Sequence, residues 1–530
     1  MVGSLRRSLL AGLFVLFFVF LSAPAYSQTA DASPASDAEV RNSLRQFSEV
    51  YSIIEQNYAE PVNLDKAIYS GAIPSMLHVL DPHSNFFDPK AFSAMRDEQR
   101  GRYYGVGMQI VPRNSKIIVL APFVGTPAYR AGIKPGDTII SVEGKITDNM
   151  SVSEVAELLK GPKGSTVHIS ILRRSAEKPL EFAVVRDEIP RNSVDLKFEI
   201  SPGVGYMRVT AFNETTGREV KAALEEFRDL KGLILDLRGN PGGLLNEAVS
   251  VADKFLKRGQ VIVSQHGRRS PERVFRATRG NGGREYPLVV LVNRGTASAA
   301  EIVSGAIQDH DRGLIAGETT FGKGLVQMIY PLAQNTALTL TIAKYYTPSG
   351  RLIQRDYAGL SLYNYYYNHD QEESLRKETR LTDLGRTVYG GGGINPDVKI
   401  PAPKRNRFHD TLLEHYAFFN FAHQYLAGHP ADHSFQVTDE VTQEFRKFLV
   451  AEKINYTEAQ LIDSADWLKT QIKAEVFVSQ FGQEAGLRVR AENDPQVMAA
   501  LKLLPRAKEL AEKARKVVAQ KAAPAAPAAR

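Results

Sequence analysis

Tyr286-Pro-Leu-Val-Val-Leu-Val-Asn293 is an apolar run closed by a polar residue, the pattern of a strand buried on both faces of a parallel sheet. Leu233-Ile-Leu-Asp-Leu237 repeats that pattern and runs into Arg-Gly-Asn-Pro-Gly-Gly243, with helical patterning from Leu244. Beyond the turn made by Gly295 and Thr296, the apolar positions Ile302, Ala306 and Ile307 recur at helical spacing, which puts Ser298 at a strand-to-helix junction. Leu325 to Leu332 and Thr336 to Tyr346 read as further strands. Alternation of buried strands with helices predicts an α/β core over residues 190–401.

The flanks have other patterns. Arg6 and Arg7 precede an apolar run from Leu9 to Leu21, and Ala25-Tyr26-Ser27 offers small residues for cleavage, so residues 1–27 read as a secretory signal peptide. The apolar run is short for a membrane span, with an uncleaved anchor as the alternative. Residues 38–100 carry a helical stripe of Val40, Leu44, Phe47, Val50, Ile53 and Ile54, a core or dimer contact. Asp356 to Gly392 is irregular, with Tyr363, Tyr365, Tyr366 and Tyr367 clustered: a lid, a contact surface or a plain surface excursion. Residues 402–520 form a helical extension with patterning over Thr411 to Leu426, Thr457 to Phe481 and Pro495 to Val518, read as an oligomerisation or adaptor-binding arm. Residues 521–530 are a Pro/Ala tail of disordered composition.

Composition narrows the classes. A chain of 530 residues with 43% hydrophobic content has room for several cores. It has no cysteine, which removes a disulfide scaffold, a thiol nucleophile and cysteine-based metal sites. The net charge of +7 comes with no aromatic-basic pattern of a nucleic-acid module. His409, His415 and His423 are spread along one expected helix without a carboxylate partner pattern, so no metal is expected.

The chemistry centres on Gly295-Thr-Ala-Ser298-Ala-Ala-Glu301 and Phe321-Gly-Lys323-Gly, with Gln327 beyond. A serine hydroxyl needs a base, and lysine serves as one only when neutral. Moving a lysine pKa from about 10.4 to about 7 takes roughly 4–5 kcal/mol of differential destabilisation of the ammonium, which means burial. Apolar Phe321, Leu325 and Val326 suit that. Gln327 orients the amine if the strand bends, since residues four apart in a straight strand are roughly 13 Å apart, and Gly324 is the expected bend. His310 stands roughly 18 Å from Ser298 along one helix, too far for a base. His83, in Asp81-Pro-His-Ser84, is not excluded by spacing. Amides freed at the Gly242-Gly243 turn suit an oxyanion hole. Gly317 to Gly324 imitates a phosphate loop, but Gly324 stands where Ser or Thr would be needed and a strand follows.

Gly105-Val-Gly-Met-Gln-Ile110 and Gly125-Thr-Pro-Ala-Tyr-Arg-Ala-Gly-Ile-Lys-Pro-Gly-Asp137, within residues 101–185, resemble a PDZ domain, which adds an extended peptide to a sheet edge and holds its carboxylate on glycine-loop amides. Gly105, Val106, Gly107 and Met108 are that loop here. Together with the Ser298 and Lys323 segments, Tyr345-Tyr-Thr-Pro-Ser-Gly-Arg-Leu-Ile-Gln354 and Gly393-Ile-Asn-Pro-Asp-Val398, the chain from Ala38 to Pro403 resembles the carboxyl-terminal processing, or tail-specific, proteases.

That resemblance implies a crotonase-like protease core with an inserted PDZ domain, and a Ser298–Lys323 dyad with Gln327. It implies oxyanion donors at Ala299 and at Gly243 in preference to Gly242, and support from Glu301, Asp309 and Thr320. It implies dimerisation through N-terminal helices and, in some relatives, gating by an arginine sensor. Lys160 stands at the sensor's place, either a sensor without the planar fork or a solvated turn lysine. The expected protein is a periplasmic serine endopeptidase acting on protein or peptide substrates with free C-termini, needing no cofactor, homo-oligomeric, and with an adaptor protein as a further partner. The alternatives are an inactive or adaptor-dependent PDZ scaffold and a crotonase-like acyl-transfer enzyme.

Overall fold

The structure, a computed structural model, describes residues 36–522 apart from 114, 174–175 and 368–377, with side chains described to residue 517. The expected signal peptide and all but the first two residues of the Pro/Ala tail lie outside the described residues. The chain forms two compact units, Met1–Ser70 and Gly71–Arg530. The first contains the helix Asp37–Asn57, opened by a capping box in which Ser36 Oγ accepts from Glu39 N and Glu39 Oε2 accepts from Ser36 N. Its stripe from Val40 to Ile54 is exposed throughout.

In the second unit, the strands Val194–Ser201, Val204–Val209, Gly232–Asp236, Leu288–Val292, Leu314–Gly317 and Val398–Lys399 lie side by side in that order. The first pair is antiparallel and the rest are parallel, with Leu235 opposite Val290 and Val290 opposite Ile315. The two apolar runs of the sequence are the central strands and are buried along their whole length. Successive side chains face opposite ways. Leu233, Leu235 and Val290 pack with the helices Thr216–Glu226, Leu245–Asp253 and Ala299–Asp309, while Ile234, Val289 and Leu291 meet Val497, Ala500, Leu504 and Ala507 of the helix Pro495–Ala522. The last helix therefore completes the α/β core; it is not a free arm, and it runs beyond the expected Val518.

A second sheet has a strand that begins two residues after Lys323. Ala337–Tyr346 pairs with Asn85–Phe87, Val261–Gly267 and Leu325–Pro331, and Val261–Gly267 pairs with Ser270–Arg276. The strand Asn85–Phe87 falls within the segment expected to be helical, and it delivers Asp81 to Ser84 to the side of Gln327.

Residues 102–190 hold a separate five-strand path, Met108–Arg113, Lys116–Pro122, Thr138–Val142, Thr166–Leu172 and Leu180–Val185, around Ile117, Val119, Ile139, Val155, Val167 and Ile169. The ribbon Arg102–Gly105 with Asp187–Pro190 joins it to the core. The C-terminal helices between Arg407 and Phe481 pack an aromatic core of Phe408, Phe418, Phe421, Phe445 and Phe448. The helix expected over Thr411 to Leu426 is two, Arg407–Glu414 and Ala417–Leu426, because Tyr416 takes a left-handed conformation with φ 50°. His409 and His415 thus fall on a different element from His423, and His409 Nε2 lies 2.7 Å from Ser464 Oγ. This helical domain also touches the five-strand domain, through Arg113 and Asn420 and through Gly136, where a Cβ would lie 2.6 Å from His423 Nε2.

Candidate active site

The strand Leu288–Val292 ends in a turn pinned to its neighbour: Thr296 Oγ1 donates to Leu237 O, and Asn293 Oδ1 accepts from Gly239 and Gly295 N. Ser298 follows at φ 54° and ψ −116°, directly before the helix Ala299–Asp309. For a residue with a Cβ that conformation costs of order 1–3 kcal/mol and persists only where the surroundings hold it. Part of the restraint is Glu301, whose Oε2 accepts from Ser298 N at 2.7 Å.

Glu301 is fully buried and organises the site. Its Oε2 also accepts from Lys323 N at 2.9 Å, while Oε1 accepts from Gly322 N at 2.7 Å and Thr320 Oγ1 at 2.5 Å. One carboxylate thus holds the backbone amides of both Ser298 and Lys323. Burial pushes its pKa up to about 7 against the pull of these donors. Asp309, at the far end of the helix, is buried in an ion pair with Arg351 and accepts from Ser349 N.

Lys323 Nζ donates to Gln327 Oε1 at 3.1 Å. Burial lowers the amine's pKa, and the carboxylates of Asp81 and Glu301 oppose the shift. The bend that brings Gln327 back to Lys323 coincides with a register shift between Val326 and Gln327. Gly324 serves close approach instead: a Cβ there would lie 2.9 Å from Gln354 N. Gln327 Nε2 donates to the carbonyl of His83. The two ring nitrogens of His83 meet tyrosines, with Nε2 3.0 Å from Tyr365 Oη and Nδ1 3.3 Å from Tyr366 Oη. Burial, then the nearby Lys323, pushes its pKa down to about 3.

Tyr345 escaped the sequence reading as a site residue. Its buried hydroxyl donates to the Lys323 carbonyl, and burial pushes its pKa well up, with the Ser298 side chain opposing the shift. The signal was present in the alternation of Ala343 and Tyr345, both buried, with exposed Lys344. Nothing local in the sequence links that strand to the serine.

The glycine turn lies against Ser298: a Cβ on Gly242 would sit 2.7 Å from Ser298 Cβ. Gly242 N is committed to Asn240 Oδ1 at 2.8 Å. Among the described residues the amides of Gly243 and Ala299 have no hydrogen-bond partner. Gly243, at φ 141°, adjoins Phe212, whose O a Cβ would meet at 2.1 Å. Away from this cluster, Gly105 to Met108 and Lys160 line a cleft of about 840 Å³. Gly107 is at φ 77°, Val106 O accepts from Ala128 N, and the amides of Val106 and Gly107 have no partner among the described residues. Lys160 ends the helix Val152–Leu159 and pairs with Glu157 at 3.0 Å.

Three family models match the chain: peptidase family S41 over residues 203–360, a PDZ domain over 118–173, and the C-terminal helical domain of probable PDZ-proteases over 408–460. The carboxy-terminal-processing protease of Bartonella bacilliformis is 38% identical over 349 residues, 64% of this chain and 80% of that one. The carboxy-terminal processing protease CtpA of Bacillus subtilis is 35% identical over 312 residues, 58% and 66% of the two chains. Among solved structures, the photosystem II D1 C-terminal processing protease matches at 30% identity over 67% of this chain and 86% of that one, with a TM-score of 0.34. The mixed α/β core, the PDZ domain and the likeness to the Bartonella enzyme together establish that this chain belongs to the carboxy-terminal-processing proteases of peptidase family S41, which are serine peptidases.

Proposed function

We propose that the protein hydrolyses peptide bonds with a Ser298–Lys323 dyad, on substrates captured by their free C-termini. The observation that carries this reading is the Glu301 carboxylate bound to both backbone amides, beside an amine whose charged form is disfavoured by burial. Ser298 Oγ attacks the scissile carbonyl as neutral Lys323 takes its proton, and Gln327 Oε1 orients the amine. The unpartnered amides of Gly243 and Ala299 receive the oxyanion. Collapse passes the proton from Lys323 to the leaving amine, and water then releases the acyl-enzyme. His83 has no part as base, since its ring nitrogens face tyrosines and its carbonyl positions Gln327.

The amides of Val106 and Gly107 fit a terminal carboxylate, and buried Val106 and Met108 beside them favour apolar terminal residues. The basic-then-apolar pattern of residues 1–27 supports export to the periplasm, and the exposed stripe on Asp37–Asn57 supports self-association or contact with an adaptor. Lys160, already paired with Glu157, remains in place for a sensor but lacks the fork of an arginine. A serine-directed covalent probe tests the dyad: it should label Ser298 and fail on Ser298→Ala. Equal labelling of both forms would refute the assignment.

A further inference from the structure

The carboxylate loop opens onto the cleft of about 840 Å³, and one side of that cleft is not PDZ domain. The volume lies toward the upper end of the roughly 300–1,000 Å³ usual for ligand pockets. The PDZ domain supplies the strand Met108–Arg113 and the helix Val152–Leu159. The opposing side comes from the core strand Val194–Ser201, through Val194 and Asp195, and from the C-terminal helix Gln483–Glu492, through Gln483, Glu484 and Leu487. At the turn before that helix, Gly482 lies against the PDZ residue Val124: a Cβ there would be 3.3 Å from Val124 Cγ2.

Met108–Arg113 is the edge of the PDZ sheet, so a captured peptide adds there as a further strand. Alternate side chains of such a strand point to opposite faces. The terminal side chain and the third from the end face the PDZ groove. The penultimate and fourth-from-last side chains, which on an isolated PDZ domain would face water, here face the opposing wall.

The charges around the cleft are mostly matched internally. Asp195 pairs with Arg208, Lys160 with Glu157 and Lys197 with Glu226; Glu219 accepts from Val194 N and Thr215, and Arg191 stacks over Tyr103. Glu484 is exposed, and among the described residues it makes no ion pair. Half-buried Leu487 stands one helical turn away. We propose that the helix Gln483–Glu492 is a second reader of the substrate: it takes the outward-facing side chains of the captured tail and prefers lysine or arginine, with the aliphatic stem on Leu487 and the charge on Glu484. This inference rests on the capture of the terminal carboxylate at Gly105 to Met108.

The test uses the full chain carrying Ser298→Ala and labelled peptides with the same apolar terminus, with Lys, Ala or Glu at the penultimate and fourth-from-last positions. Fluorescence anisotropy should show the Lys peptide binding roughly 2- to 5-fold more tightly than the Glu peptide at low salt. Glu484→Lys should reverse that order and leave the Ala peptide within about twofold. Leu487→Ala should weaken the Lys peptide and spare the Ala peptide. An unchanged order in Glu484→Lys, or no charge preference in the parent, overturns the proposal. C-terminally amidated peptides separate the two readings. If amidation leaves binding intact, or no peptide binds, carboxylate capture fails and this proposal with it; carboxylate-dependent binding that ignores Glu484 removes only the second reader.

Discussion

Glu301→Gln probes the hinge between fold and chemistry. The carboxylate accepts four hydrogen bonds and donates none, while an amide of the same shape offers one oxygen and one NH₂. With the NH₂ at the Oε2 place, the amides of both Ser298 and Lys323 lose their acceptor. With it at the Oε1 place, Thr320 Oγ1 can turn to accept, but Gly322 N is orphaned. The second arrangement costs least, and one buried donor left unsatisfied is worth about 1–3 kcal/mol. For a domain of this core's size each kcal/mol moves Tm by roughly 2–4 °C. The substitution also removes a negative charge that favours the Lys323 ammonium, so the amine's pKa falls further and the acid limb of kcat/KM against pH moves to lower pH. Thermal unfolding in the Ser298→Ala background and pH-resolved cleavage in the active background measure the two effects. Unchanged Tm with an unmoved acid limb would refute the role given to Glu301.

Gly243→Ala drives a Cβ into the Phe212 carbonyl and displaces the proposed oxyanion donor; kcat on a peptide reporter should fall about 10²–10³-fold with KM little changed. His83→Phe keeps the ring packed against Phe321 and Tyr365 and leaves the carbonyl that holds Gln327, so steady-state activity should fall by less than about tenfold, where loss of a general base costs about 10²–10⁴. Leu504→Ala opens a cavity between the last helix and the core sheet, and denaturant unfolding should show a loss of about 2–5 kcal/mol with active-site labelling retained.

The parts of the fold legible in the sequence were those with a local signature. Leu233–Leu237 and Leu288–Val292 are buried on both faces, so their composition alone marks them as central strands. Ser298, Lys323 and Gln327 stand on short segments whose residue types suit the proposed chemistry, and hydrogen bonds through Glu301 and between Lys323 and Gln327 join them in one cluster. Tyr345 and the His83 carbonyl join that cluster through strand pairing across distant parts of the chain, which no periodicity reports. The helix Pro495–Ala522 was legible as a helix, but an apolar stripe does not say which face it covers, and here it covers the core sheet. The break at Tyr416 went unseen because a positive φ at a non-glycine residue is imposed by packing and has no local sequence mark.

The most direct test of the central claim follows cleavage of an unfolded reporter with a free apolar C-terminus, beside one with a blocked terminus, by the parent, Ser298→Ala and Lys323→Ala across the neutral to alkaline range. The account predicts cleavage by the parent alone, faster with the free terminus and rising with pH as Lys323 loses its proton, from a pKa below the usual lysine range. Cleavage that survives Lys323→Ala at the parent's rate would contradict it.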